Sequence, residues 1–136
     1  MSHRRLLVVD DSIEITELIK EVASEDGYEV FTLNKSTLFF ERMREVDPDL
    51  LCIDIHMPDV DGIEILRGLA DKGCRAGVII LSGGDPLFTK VAERIGVASK
   101  MHVQTLEKPF RLDIFRAALR AHEDYVAGQG SAASVC

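Results

Sequence analysis

The fold of this chain is decided by a short stretch near its N-terminus, Leu6-Leu7-Val8-Val9-Asp10-Asp11-Ser12. A brief apolar run bounded by polar residues is typical of a strand buried on both faces of a sheet. A helical pattern begins directly after Ser12, a residue type that suits a helix N-cap. Adjacent carboxylates at the end of a buried strand repel each other unless a cation lies between them. The stretch therefore predicts a βα unit whose connecting loop binds something positively charged.

Later apolar segments end in polar residues in the same way. Leu51–Ile53 is followed by Asp54, and Val78–Leu81 is followed by Ser82. The last such segment is followed by Lys108. In open α/β sheets, ligands bind beyond the carboxyl ends of the strands, where these side chains would meet. Three acids, one hydroxyl and one lysine at strand ends predict a magnesium-assisted phosphoryl site.

Strand and helix patterns alternate five times along the chain. We predict strands at Arg5–Val9, Tyr28–Leu33, Leu50–Ile53, Gly77–Leu81 and His102–Leu106. We predict helices at Ser12–Glu25, Ser36–Val46 and Arg111–Val126. A further helix is predicted between a loop at Pro58–Gly62 and a stop at Lys72–Gly73, and another after a cap at Asp85–Pro86. Asp61 and Glu64 form a predicted capping box for the third helix. Leu18, Leu38 and Leu87 are assigned to the buried faces of the first, second and fourth helices. Such alternation predicts one α/β domain, residues 1–127, with helices on both faces of a parallel sheet, followed by a flexible tail, residues 128–136.

The bulk properties of the 136 residues fit a globular domain with a real core. The formal net charge of −7 argues against direct binding of nucleic acid by this surface. Every apolar stretch is far shorter than the roughly 20 residues of a membrane span, and no signal peptide is recognisable. The three cysteines lack metal-ligand spacing, and Cys52 lies within a buried strand pattern. We therefore expect a cytoplasmic protein in a reducing compartment that is not associated with a membrane.

Four motifs, in order and each at a strand end, resemble the receiver domain of two-component response regulators, the CheY-like family. They are Val8–Ser12, Asp54–Gly62, Leu81–Gly83 and Lys108–Phe110. The resemblance extends from about Arg5 to Val126. It implies a five-stranded parallel sheet of order 2-1-3-4-5 in a flavodoxin-like or CheY-like (βα)5 three-layer sandwich.

The resemblance also implies a role for each residue of the site. Asp54 would accept a phosphoryl group from a histidine kinase or a phosphotransfer protein. Ser82 would hydrogen-bond that group, Lys108 would pair with it, and the bond from Lys108 to Pro109 would be cis. The ligands of Mg²⁺ would be Asp10, Asp11, Asp54 and the backbone carbonyl of His56. The His56 side chain is expected to line the mouth of the site.

The implied function is that of a signalling module rather than an enzyme. Phosphorylation would change the surface formed by helix four, strand five and helix five. That surface would bind a downstream protein, an output domain or a second copy of the chain. Thr105 stands where many receivers carry Tyr or Phe, so an aromatic switch coupled to Ser82 is not expected here.

Other functions stay open on the sequence alone. The chain could be the receiver fragment of a larger regulator, for example a cyclic-di-GMP phosphodiesterase, because the turn at Ser82–Asp85 and the long fourth helix are similar to such receivers. It could be a small Mg²⁺-dependent aspartyl phosphatase, although those enzymes usually need an acid where this chain has His56. A receiver that is never phosphorylated is disfavoured by the intact set of five residues. A flavin carrier is disfavoured because Asp10 and Asp11 would face the phosphate of the cofactor.

Overall fold

The computed structural model describes residues 4–57 and 62–129. Within those ranges strands and helices alternate along the chain. The strands are β1 Arg5–Val9, β2 Glu29–Leu33, β3 Leu50–Asp54, β4 Gly77–Ser82 and β5 Val103–Glu107. The helices are α1 Ile13–Glu25, α2 Phe39–Val46, α3 Gly62–Asp71, α4 Pro86–Ser99 and α5 Leu112–Gln129, with a 3₁₀ turn at Ser36–Leu38 before α2. None of the helices in the described ranges is long and apolar enough to cross a membrane.

The strands form one parallel sheet in the order β2-β1-β3-β4-β5, which confirms the predicted fold class. The direction of the strand order reverses between β1 and β3. In a doubly wound sheet this reversal opens a crevice at the carboxyl ends of the strands, where ligands bind. Val9 of β1 pairs with Ile53 of β3, so the residues that follow each of them lie side by side at that crevice.

The core has two layers, one on each face of the sheet. Alternate residues of β1 point into different layers: Leu7 and Val9 into one, Leu6 and Val8 into the other. Helices α2, α3 and α4 cover the first layer, and α1 and α5 cover the second. All four residues are fully buried, as is Cys52 of β3. Their burial on both faces explains why the strand is apolar throughout rather than alternating.

Local signals at the helix ends agree with the predictions. The Ser12 hydroxyl accepts a hydrogen bond from the Ile15 N–H at 3.3 Å and begins α1. The Asp85 carboxylate accepts one from the Leu87 N–H at 3.0 Å, and Pro86 is the first residue of α4. Both are N-caps that satisfy an otherwise unpaired helix N–H. The predicted loop at 58–61 and the capping box through Asp61 lie outside the described residues.

Three leucines assigned to buried helix faces are in fact exposed. Leu38 is 56% exposed because it belongs to the 3₁₀ turn and not to α2, so its direction does not follow the α-helical period. Leu18 and Leu87 are 37% and 68% exposed. Each lies one residue, about 100° around the helix, from a residue that packs on the core. Those neighbours are Ile19 and Phe88.

Several element boundaries differ from the predictions by one to three residues, those of β5 and α5 among them. Strand β5 is shifted by one residue, because its ladder with β4 begins at the pair Val78 and Val103. Helix α5 continues to Gln129 instead of ending at Val126, and it takes in Gly128, where the predicted tail began. Residues 130–136 of that predicted tail lie outside the described part of the chain.

Candidate functional site

The polar residues at the strand ends lie together at the carboxyl edge of the sheet. Asp10 follows β1, Asp54 ends β3, Ser82 ends β4 and Lys108 follows β5. Asp10, Asp54 and Ser82 are buried, with exposed fractions of 0%, 4% and 2%. Burial of two carboxylates in one crevice demands a compensating charge.

Lys108 supplies that charge by reaching across the crevice. Its ammonium Nζ lies 2.8 Å from Asp10 Oδ2 and 3.4 Å from Asp54 Oδ2. Partial burial lowers the pKa of Lys108, but hydrogen bonding to Asp10 and the charges of Asp10 and Asp54 outweigh burial, so the pKa is raised overall. Lys108 therefore stays protonated and bridges carboxylates that would otherwise repel each other.

Every polar group of Asp10, in its side chain and its backbone, takes part in a hydrogen bond. The Ser12 N–H donates to its Oδ1 at 2.9 Å, while Lys108 occupies Oδ2. The Asp10 N–H donates to the Leu33 carbonyl at 3.1 Å, and the Asp10 carbonyl accepts from Asn34 Nδ2 at 2.8 Å. The residue is thus fixed from α1, β2 and β5 at once.

A third carboxylate completes a cluster that could hold a metal ion. Asp10, Asp11 and Asp54 each offer one oxygen, and these oxygens lie within 4.8 Å of one another. Oxygens on a single Mg²⁺ lie about 2.1 Å from the ion, so opposite ligands are about 4.2 Å apart. A cluster of this size is therefore compatible with one shared ion, and Asp11 is its exposed member. The donor set is all oxygen, which suits a hard divalent cation.

Ser82 lies in a turn that returns to the site. Its Oγ accepts a hydrogen bond from the Gly84 N–H at 3.2 Å, and its carbonyl accepts one from the Lys108 N–H at 2.6 Å. Gly84 has a φ of +96°, a conformation that favours glycine, so Gly83 and Gly84 form the expected turn. The peptide bond between Lys108 and Pro109 is cis, as the resemblance implied.

His56 connects Asp54 to helix α4. Its backbone N–H donates to Asp54 Oδ1 at 3.0 Å. Its exposed imidazole packs edge-to-face on the ring of Phe88, with centroids 5.2 Å apart and planes at 79°. The side chain therefore lies at the rim of the site, in the position predicted for it.

Comparison with known proteins decides the family. A family model described as the response regulator receiver domain matches residues 6–120. The chain belongs to this family. The receiver is 31% identical over 116 residues to the transcriptional regulatory protein TrcR of Mycobacterium tuberculosis, and 32% identical over 117 residues to the response regulator MprA of Mycobacterium leprae. These matches cover 85% and 86% of this chain but 44% and 50% of the relatives, so the receiver spans about half the length of either.

A solved structure shows the same architecture. The CheY-like receiver domain protein of Methanospirillum hungatei superposes with a TM-score of 0.79 at 21% identity, covering 95% of this receiver and all (100%) of that chain. At that identity the likeness concerns the fold. Together with the family match it establishes a receiver domain of two-component response regulators, a signalling module.

Two contacts at the site were not predicted from the sequence. Asn34 follows β2 directly and binds the Asp10 carbonyl, and Phe88 of α4 meets His56. The signal for Asn34 was available, because a polar residue at the end of a parallel strand is placed at the same edge of the sheet. Phe88 carried no comparable signal, because its apolar position within α4 predicts only core packing.

Proposed function

We propose that Asp54 is the phosphoacceptor of a histidine-to-aspartate phosphorelay and that phosphorylation depends on Mg²⁺. The donor would be a histidine kinase or a phosphotransfer protein. The observation that carries this assignment is the position of Lys108, whose ammonium lies between Asp54 and Asp10 at the carboxyl edge of the sheet. A buried nucleophilic carboxylate next to a fixed cation is suited to receive an anionic group.

Charge repulsion is the main obstacle to this reaction. Two unit charges 4 Å apart repel by about 4 kcal/mol at an effective dielectric constant near 20, and each further anion adds to the cost. Mg²⁺ would be held by Asp10, Asp11, Asp54 and the backbone carbonyl of His56. When bound, the cation would supply the positive charge that offsets repulsion between these carboxylates and the incoming phosphoryl oxygens.

The chain's own residues orient the reacting groups. The His56 N–H holds one oxygen of Asp54, and the other oxygen faces Lys108. Lys108 is positioned to pair with a phosphoryl oxygen after transfer. Because Ser82 Oγ accepts its hydrogen bond from Gly84, its hydroxyl hydrogen can be directed at the phosphoryl group. Positioning and electrostatic stabilisation are the usual contributions of a protein to phosphoryl transfer.

The phosphoryl group would act as a switch on the surface formed by α4, β5 and α5. His56 offers a route to that surface, because its amide contacts Asp54 and its ring contacts Phe88 of α4. Thr105 of β5 is not aromatic, so the route would not use a ring on β5. Shifting a two-state equilibrium from 1:99 to 99:1 takes about 5.5 kcal/mol. Hydrogen bonds to charged groups contribute about 1.5–3 kcal/mol each, so about two to four suffice.

The switched surface would bind a downstream protein, an output domain or a second copy of the chain. A separate output domain would be consistent with the curated relatives, about half of whose length this receiver spans. A cytoplasmic location, and a role without direct contact with nucleic acid, stay predictions from the sequence. A steady-state phosphatase is the less favoured function, since His56 occupies the position where such enzymes usually carry an acid.

The experiment is to incubate the protein with acetyl phosphate and MgCl₂ and to measure its intact mass. We expect addition of one phosphoryl group to the wild type and none to Asp54→Asn, because the amide is not a nucleophile. Asp71→Asn, an exposed acid on α3, is the matched control and should be labelled like the wild type. Labelling of Asp54→Asn at the wild-type level would overturn the assignment.

A further inference from the structure

We infer that Asn34 is a positioning residue for the cation site, acting on Asp11 through the peptide that joins it to Asp10. This inference rests on the proposed Mg²⁺-dependent function and names a residue outside the proposed ligand set. Asn34 lies directly after β2, on the strand next to β1, and is half-buried.

The side-chain amide of Asn34 makes two contacts. Its Nδ2 donates to the Asp10 backbone carbonyl at 2.8 Å and to Thr16 Oγ1 at 3.3 Å. An amide nitrogen carries two hydrogens, so both are used. Asn34 thus links β2 to the β1–α1 loop and to the first turns of α1.

Thr16 fixes the direction of that amide. Thr16 is 1% exposed, and its hydroxyl donates to the Ile13 carbonyl at 2.9 Å. Because the hydroxyl hydrogen is directed at Ile13, a lone pair of the same oxygen remains for Asn34. The amide plane of Asn34 is therefore set by a buried group that does not belong to the acidic cluster.

The carbonyl that Asn34 holds belongs to the peptide between two proposed ligands. The carboxylate of Asp10 is independently fixed by Ser12 and Lys108, but Asp11 is exposed. A tilt of the Asp10–Asp11 peptide would move Asp11 relative to Asp54, while Mg²⁺ demands near-octahedral geometry. Residues that orient ligands without touching the ion commonly change metal affinity by 10-fold or more.

The test is the dissociation constant for Mg²⁺, measured by calorimetric or chemical-shift titration with MgCl₂. We expect Asn34→Ala to raise it by about 10-fold, since the Asp10 carbonyl loses its donor. We expect Thr16→Val, which keeps the side-chain shape without the hydroxyl, to raise the dissociation constant by about 3-fold. Thr16→Ser keeps the hydroxyl and should leave the constant at the wild-type value. Lys35→Ala is the matched control, because Lys35 is exposed and adjacent to Asn34.

A merely structural role for Asn34 is distinguished by a second measurement. At saturating MgCl₂ the phosphoryl yield at Asp54 should return to the wild-type level in Asn34→Ala, since only ion affinity has changed. Equal Mg²⁺ affinities for Asn34→Ala and Lys35→Ala would overturn the inference while the proposed function stands. If Asn34→Ala does not fold, Thr16→Val decides: a raised constant supports the inference and an unchanged one overturns it. Absence of Mg²⁺ binding by the wild type would overturn the proposed function and the inference with it.

Discussion

The carboxyl end of the sheet buries charged groups, whereas the amino end buries a titratable group in its neutral form. At the carboxyl end, Lys108 is protonated and lies between Asp10 and Asp54. At the amino end, the imidazole of His122 on α5 is 4% exposed and packs against Gly77, the first residue of β4. Burial, and secondarily the charge of His102, lower the pKa of His122 to about 4.

The difference lies in what surrounds each group. Burying a charge is tolerated where an opposite charge and hydrogen bonds accompany it, and Lys108 has both. Nδ1 of His122 has no hydrogen-bond partner among the described residues, and the nearby His102 is itself a base stacked on Tyr125. Charge is therefore retained at Lys108, at the end of the sheet proposed to react with a phosphoryl group, whereas the buried imidazole of His122 at the opposite end stays neutral.

Removing the central cation should have the largest effect on stability. Lys108→Met leaves two buried carboxylates unpaired, and we expect a loss of about 3–5 kcal/mol in the free energy of unfolding at neutral pH. The measurement is urea unfolding, with the exposed Lys90→Met as control. Addition of MgCl₂ should recover part of the loss, because the same carboxylates would bind the cation. A loss below about 1 kcal/mol would mean that the carboxylates do not depend on Lys108.

At the amino end of the sheet, lowering the pH should reduce the stability of the fold through His122. Its pKa is about 4 in the folded protein against an ordinary value of 6.5, so the unfolded chain binds the proton more tightly. Stability from this group is complete above pH 6.5 and is lost as the pH falls from 6.5 to 4, by up to about 3 kcal/mol. The measurement is urea unfolding between pH 7 and pH 4 for wild type and His122→Gln. Gln does not titrate, so the difference between the two free energies should shrink with acid; parallel curves would contradict the neutral state of His122.

The space around the His122 ring should also be limited. A Cβ on Gly77 would overlap the His122 ring and lie 3.2 Å from Leu50 Cδ1, so we expect Gly77→Ala to cost about 1–3 kcal/mol. Combination with His122→Ala should cost less than the sum of the two single variants, because the overlap is removed. Urea unfolding of the double-mutant cycle checks this, and strict additivity would show that the ring moves aside freely.

The smallest expected effect concerns communication from the site to α4. An edge-to-face ring contact contributes about 1 kcal/mol, so His56→Ala should weaken the phosphorylation-dependent change in hydrogen exchange of Pro86–Ser99 by about fivefold. His56→Phe keeps an aromatic ring and should behave like the wild type. Both variants must accept the phosphoryl group normally, which intact mass establishes. An unchanged exchange response in His56→Ala would exclude the contact with Phe88 as a route.

The fold, and the meeting of the charged residues at one edge of the sheet, could be predicted from the sequence, whereas the contacts of Asn34 and Phe88 at the site were missed. Buried parallel strands are apolar throughout and end at one edge, so Asp10, Asp54 and Lys108 could be placed together before any distance was known. The distances themselves could not be predicted, since they depend on side-chain conformations. The exposure of Leu38 was missed because an apolar residue in a 3₁₀ turn is indistinguishable in sequence from one in the following helix.

The burial of His122 shows how residue type can obscure a periodic pattern. Phe115, Leu119 and His122 follow one another at helical spacings of four and three on α5, and all are buried. The spacing alone would put His122 on the core face, but we did not predict its burial, because a polar residue type gives no indication that it is accommodated in its neutral form. The ring fits there because Gly77 has no side chain.

The most direct test of the charged end of the sheet is a crystal structure of the protein with MgCl₂ and beryllofluoride. We predict one Mg²⁺ held by Asp10, directly or through water, and by Asp11, Asp54 and the His56 carbonyl, with beryllofluoride on Asp54 and Lys108 turned from Asp10 toward the fluorides. An ion bound elsewhere, with Lys108 still between Asp10 and Asp54 and no adduct on Asp54, would contradict the account.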